Sequence, residues 1–154
     1  MVHVKTPFSR AIVFALFLSY LSFLLYLLYF SEYRSYVGSL EERSVNLLPL
    51  NTISDYIVTF ERFHFRILTD NFFGNIIAFM PFGFLVPILW TKLQKLRSVA
   101  LLSAFFSLTI EVVQYITKLG ACDIDDIILN TAGGIVGYLG YKFILGLNQI
   151  VKTV

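Results

Sequence analysis

Charge is what this sequence has least of. Asp, Glu, Lys and Arg together make up only 14% of its 154 residues, where a soluble domain carries about a quarter. So few charged groups cannot cover a chain that is 57% hydrophobic and 17% aromatic, which excludes a soluble globular domain and a disordered chain. The net charge of +2 is too small an excess to hold a polyanion, so nucleic acid is excluded as a partner. Cysteine occurs once, as Cys122; no intrachain disulfide can form, and nothing resembles a thiolate metal site. The alternating ten-residue strands of a membrane barrel are missing, as are internal repeats and low-complexity segments. What fills the chain instead is long apolar runs, with a mean hydropathy of +0.75. This is the composition of an integral membrane protein.

Four runs, at about 11–30, 72–90, 99–117 and 127–147, are long enough to span a bilayer as helices, which takes roughly 20 mostly apolar residues. The first follows Lys5 and Arg10 but exceeds a signal-peptide core and is followed by Ser31-Glu32-Tyr33-Arg34, with no small-x-small cleavage site. It reads as a retained helix. The expected fold is all-α: one polytopic membrane domain over 1–154, a bundle of about four transmembrane helices. An outer re-entrant or interfacial segment, 31–71, joins the first two, since its mixture of apolar, aromatic and charged stretches suits the membrane surface. With the N-terminus inside, seven of the twelve basic residues (Lys5, Arg10, Lys92, Lys95, Arg97, Lys142 and Lys152) fall on inner segments. Nine of the ten acids then fall outside, and the tenth, Glu111, lies within the third span. The basic residues set the orientation, and the expectation is a multi-pass plasma-membrane protein with both termini cytoplasmic.

Ionisable groups inside spans are costly and usually functional. Glu111 sits six residues, roughly 9 Å, below the outer end of the third span. Ser103, Ser107 and Gln114 share its stripe at helical spacing. The bland alternative is a carboxyl group that only hydrogen-bonds between helices. Around the start of the fourth span come Asp123, Asp125 and Asp126, then Asn130, Gly133, Gly137 and Gly140. From Asp126 onward these step by 4, 3, 4 and 3, one helical face on which the glycines invite close packing. Here the bland alternative is a capped helix N-terminus, for which one aspartate would suffice. Asn75 enters the second span at a matching depth, ahead of Pro81 and Pro87, which should interrupt the helix ladder. Three helices would thus bring Asn75, Glu111, Gln114, Asp126 and Asn130 to the outer half of the bilayer. Arg43 or Arg66 of the outer segment is the expected counter-charge.

These residues occur in an order that resembles the VanZ-like family. The resemblance spans about 43–141 and rests on Arg43-Ser44-x-Asn46-x-x-Pro49, Asn75-x-x-x-Phe79-x-Pro81-x-Gly83 and Glu111-x-x-Gln114. It continues through Gly120-Ala121-x-Asp123-Ile124-x-Asp126 into Asn130-Thr131-x-Gly133-Gly134; Leu50 departs from it, an aromatic residue commonly following the proline. The family's founding type is linked to low-level teicoplanin resistance, which implies a cell-envelope function and no settled reaction. Three readings stay open. In the first, Asn46, Asn75, Glu111, Gln114, Asp123, Asp126 and Asn130 bind an envelope lipid-linked precursor or a lipoglycopeptide, alongside membrane lipids. In the second, the chain is a membrane-embedded enzyme on a lipid-linked cell-envelope substrate, with Glu111 as general acid or base and Asp123, Asp125 and Asp126 holding or stabilising a metal ion. Against it, His3 and His64 lie away from the cluster, and no nucleophile elbow or metalloprotease motif is present. In the third it is a structural subunit that packs through the glycine face. No cofactor is expected; the one candidate is a divalent cation on Asp123, Asp125 and Asp126.

Overall fold

The computed structural model describes residues 7–30, 45–50, 54, 72–119 and 122–150. In chain order these form α1 (Pro7–Tyr29), β1 (Val45–Asn46), α2 (Gly74–Leu89), a 3-10 turn (Thr91–Leu93), α3 (Leu96–Thr117), β2 (Cys122–Asp123) and α4 (Ile124–Ile150). The architecture is an all-α polytopic membrane bundle. α1, α3 and the Ile124–Leu147 part of α4 are each long and apolar enough to cross a membrane. The third and fourth helices begin three residues before the runs that hydropathy marks. The hydropathy window stops at charge, whereas each helix also takes in the polar turn ahead of its apolar run. α2 has 16 residues, about 24 Å of rise, and is shorter than the expected 72–90 span. A π-type turn at Phe72 and Phe73 precedes it.

The bundle is built inside out. On α3 the buried side chains are Val99, Ser103, Ser107, Ile110, Glu111 and Gln114, while Leu101, Phe105, Leu108, Val112, Val113 and Ile116 are exposed. Polar groups turned inward and large apolar ones outward is the arrangement lipid imposes and water forbids. α1 carries this further: only Phe17 and Leu24 are buried, and its other faces present Phe14, Leu16, Phe23 and Leu27 outward. It is held along its C-terminal half by hydrogen bonds. Tyr20 Oη donates to the Ala78 carbonyl at 2.7 Å, and Tyr29 Oη to the Ile110 carbonyl at 3.4 Å.

α2 and α4 run in the same direction and meet through their backbones. A Cβ on Gly133 would strike the Ile76 carbonyl, one on Gly137 the Met80 carbonyl, and one on Gly83 the Gly134 carbonyl. Gly134 also receives the Ser103 hydroxyl group of α3, so one glycine pair sets the distance among three helices. Only glycine permits this approach, and the gain is dispersion and weak Cα–H···O contact rather than hydrophobic burial. Gly140 keeps to the expected face, opposite α2, but not to the expected tightness. Its Cβ would meet nothing nearer than the Phe84 ring at 3.8 Å, an ordinary contact, because the helices have diverged by that depth. The ladder breaks expected at Pro81 and Pro87 do not end the helix, which runs through both. Phe17, Phe82, Phe106 and Phe79 then fill the space between α1, α2 and α3, with Phe82 and Phe106 stacked at 5.1 Å and 11°.

A short parallel pairing of β1 with β2, with Val45 opposite Cys122 and Asn46 opposite Asp123, qualifies the all-α expectation. Of the outer segment 31–71, only 45–50 and Ser54 are described. The re-entrant or interfacial character expected of the remainder, and the counter-charges Arg43 and Arg66, lie outside the described residues.

Gly137→Ala should lower stability in detergent by about 1–3 kcal/mol through overpacking against Met80. Gly140→Ala, which meets only ordinary contact, should be neutral or gain up to about 1 kcal/mol of helix propensity. Thermal unfolding of the two variants beside the parent checks this; equal effects would place the tight contact elsewhere.

Candidate functional site

α3 ends by turning its last carbonyls back on themselves. Lys118 takes a left-handed conformation (φ 61°), and the Leu119 N–H donates to the Gln114 carbonyl at 2.9 Å, a Schellman-type closure. The chain then returns at once into β2 and α4, which places the start of α4 directly over the end of α3. Glu111, only 2% exposed, accepts the Asp123 N–H on Oε2 at 3.1 Å. A buried carboxyl group thereby holds the backbone of the α3–α4 connection.

The three aspartates of that connection have three separate tasks. Asp123 caps α4, its Oδ1 accepting the Asp125 N–H at 2.8 Å, and its carboxylate also accepts from Asn46 Nδ2 at 3.4 Å to each oxygen. Asp125, with no exposed surface, accepts the Leu50 N–H at 2.7 Å. Asp126 accepts from Asn75 Nδ2 at 2.6 Å, tying α4 to α2. The segment 45–50 is thus a hook seated on the head of the bundle. β pairing fixes its first two residues, Asn46 Oδ1 accepts the Leu48 N–H at 3.2 Å to turn it, and Asp125 holds its end. The turn closes at Leu50, whose φ of 67° is unusual for a residue with a side chain. Its anchored N–H supports that conformation. Leu47, Leu48 and Leu50 point outward, 65%, 69% and 58% exposed.

Of the residues singled out from sequence, Asn46, Glu111 and Asp123 meet directly, and Asp126 with Asn75 adjoins them. Asn130 lies a turn deeper, donating through Nδ2 to Ser107 Oγ at 2.8 Å. Gln114 turns away from the acids, its Nε2 donating to the Leu28 carbonyl of α1 at 3.3 Å. Asp123, Asp125 and Asp126 diverge to different partners, and among the described residues no group of three His, Cys, Asp or Glu side chains could hold a metal ion. Asp125, by sequence only a possible cation ligand, is instead a backbone anchor. Its partner is a main-chain N–H, and no side-chain pattern announces that. Cys122 lies partly buried in the connection. Burial first, then the Glu111 and Asp123 carboxylates, push its thiol above the usual range.

The geometry assembles the same motifs in space that the sequence presents in order, and comparison with known proteins agrees. The family model described as VanZ/LLP1 matches residues 17–145, most of the chain. The chain belongs to the VanZ/LLP1 family. It is 35% identical over 101 residues to the protein named VanZ of Enterococcus faecium, an alignment covering 66% of this chain and 54% of that one. The chain therefore matches only about half the length of that relative. No solved structure matches it.

The raised thiol of Cys122 gives a readout of the site. Thiolate is the reacting species, so maleimide modification of the purified protein should be slower than that of an exposed thiol at neutral pH. It should still be accelerating at pH values where an ordinary thiol, with a pKa of about 8.5, levels off. Glu111→Gln removes one of the charges that raise it, so its modification at a given pH should be faster. An unchanged rate-versus-pH curve would mean that Glu111 carries no charge toward Cys122.

Proposed function

We propose that this chain is a multi-pass plasma-membrane protein that holds its acidic and amide head outward, with both termini in the cytoplasm. We propose further that the head engages a lipid-linked envelope precursor or a lipoglycopeptide and so contributes to teicoplanin-type glycopeptide resistance. Four crossings fit this reading. α2 is the short one, lengthened by the Phe72–Phe73 turn and accommodated by local bilayer adjustment.

Segregation of charge along the bundle supports the orientation. Arg10 donates to the Leu89 carbonyl, at the end where Lys92, Lys95 and Arg97 form the α2–α3 turn, and Tyr138 Oη donates to the Gln94 carbonyl there at 3.0 Å. Glu111, Asp123, Asp125 and Asp126 gather at the other end. Basic residues favour the cytoplasmic side, and Lys118, the C-cap of α3, is the described exception at the acidic end.

One observation carries the binding reading: Glu111 is buried as the floor of a network that the hook at 45–50 closes from above. Carboxylate and amide oxygens there can accept hydrogen bonds from sugar hydroxyls, peptide N–H groups or an ammonium. The exposed leucines of the hook lie beside them and suit an acyl chain. A ligand with a polar head and a lipid tail matches both. VanZ-like membership supports the drug class, since the founding type of that family is linked to teicoplanin resistance.

Teicoplanin sensitivity of cells with and without the protein tests this, using Glu111→Gln as the decisive variant. Gln keeps the shape and one acceptor oxygen but removes the charge. Losing a charged hydrogen bond costs about 1.5–3 kcal/mol, so binding should weaken roughly tenfold or more, with thermal stability nearly intact. Glu111→Leu should instead destabilise the bundle. Full function in Glu111→Gln, Asp123→Asn and Asp126→Asn alike would return the cluster to capping and packing.

A further inference from the structure

At the end of the bundle away from the carboxylates, an open cleft of about 340 Å³ separates α1 from the end of α2. It is lined by Pro7, Arg10, Ala11, Phe14, Leu89 and Trp90. Five of these six residues are apolar, and the charge on the rim is the exposed Arg10 guanidinium. Its one hydrogen bond among the described residues, from Nη2 to the Leu89 carbonyl, is long at 3.4 Å. A guanidinium carries five N–H donors in a planar fork, so this bond leaves most of its capacity for another acceptor. Trp90 is 39% exposed and fixed edge-on against Phe17, with ring centroids 5.4 Å apart at 76°, which makes it a stationary wall. The turn that follows adds Lys92, Lys95 and Arg97. The acids of the described residues, Glu111, Asp123, Asp125 and Asp126, are all at the opposite end, so no described carboxylate competes for Arg10.

We propose that this cleft binds an anionic phospholipid, with its phosphate on Arg10 and one acyl chain along Ala11, Phe14 and Leu89. Arginine pairs with phosphate through two parallel N–H···O bonds, and basic pockets between membrane helices select anionic head groups. Free phosphate would satisfy Arg10 and leave the apolar walls empty. A zwitterionic lipid would bring its own cation toward the basic turn. Under the orientation proposed above, this is a lipid of the cytoplasmic leaflet, but the site is defined by its chemistry. Binding in detergent does not depend on which way the chain sits in the cell, so an inverted topology and a failed lipid site give different results.

The test is native mass spectrometry and thermal unfolding of the purified chain in mild detergent. The additions are phosphatidylglycerol, phosphatidylcholine with the same acyl chains, or inorganic phosphate. Phosphatidylglycerol should remain bound and raise the unfolding temperature, and the other two should not. Arg10→Gln should weaken phosphatidylglycerol binding roughly tenfold, in line with the loss of a charged hydrogen bond, and Arg10→Lys should retain part of it. Ala11→Leu, on an exposed position, should fill the acyl groove and lower binding with Arg10 intact. Equal stabilisation by phosphatidylglycerol and phosphatidylcholine would overturn the proposal, as would an equal shift from inorganic phosphate alone or an Arg10→Gln chain that keeps its preference. Should Arg10→Gln not fold, the parent's lipid preference and the Ala11→Leu result decide.

Discussion

Where α2 crosses α4, the Gly83 and Gly134 backbones touch, and the carbonyls of Ile76 and Met80 rest on Gly133 and Gly137. In lipid no hydrophobic force draws two apolar helices together, because the tails are as apolar as leucine. Close backbone contact has to supply the attraction, and it also fixes the register. With Ile76 on Gly133 and Met80 on Gly137, the helices cannot slide by a turn without driving a carbonyl into a side chain. That register carries Asn75 to Asp126 at the carboxylate end and leaves Tyr138 facing the α2–α3 turn at the other. The candidate site and the orientation of its amides follow from a contact that contains none of its residues.

The third helix enters through the same glycines. Ser103 reaches Gly134, and Ser107 accepts from Asn130 one turn nearer the carboxylates, so α3 presents its smallest polar residues where the bundle is tightest. The cost is visible: among the described residues Ser103 Oγ and Asn130 Oδ1 are buried without a hydrogen-bond partner, and such groups cost about 1–3 kcal/mol each. A polar stripe that pays this at mid-depth is not there for stability alone. Apolar side chains of similar volume would pack as well, so its persistence toward Glu111 fits a column that ends in a site.

Much of this was legible in the sequence. Apolar runs located the helices, since a bilayer demands long uninterrupted hydrophobic segments, and the 4-4-3 spacing of Ser103, Ser107, Glu111 and Gln114 named the inward face of α3. The tightness of Gly133 and Gly137 followed from small-xxx-small spacing, whereas Gly140, three residues further along the same face, lacks the close contact. Periodicity describes a face, not the angle at which two helices part. The hook at 45–50 was not legible. Its register depends on main-chain hydrogen bonds to β2, and its anchor is a Leu50 N–H on Asp125, and backbone groups are the same in every residue. The direction of Gln114 was also hidden, because a helix face does not say whether α1 or α4 lies against it.

Three carboxylates within four residues, at the edge of a membrane, would ordinarily ask for a metal ion. Here each occupies a different position of one helix N-terminus. Asp123 stands outside the first turn as its cap, and Asp125 and Asp126 fall within it. The first N–H groups of a helix have no partners inside it, and the aligned peptide dipoles leave about half a positive charge there. The charges are therefore eased by the helix itself, by the N–H groups of Asp125 and Leu50, and by the amides of Asn46 and Asn75. Glu111 completes the arrangement from below through the backbone of Asp123 rather than its carboxylate, which keeps the two acidic groups from meeting head-on. An acidic head assembled this way stands on peptide dipoles and amide donors, and these sustain its acceptor character.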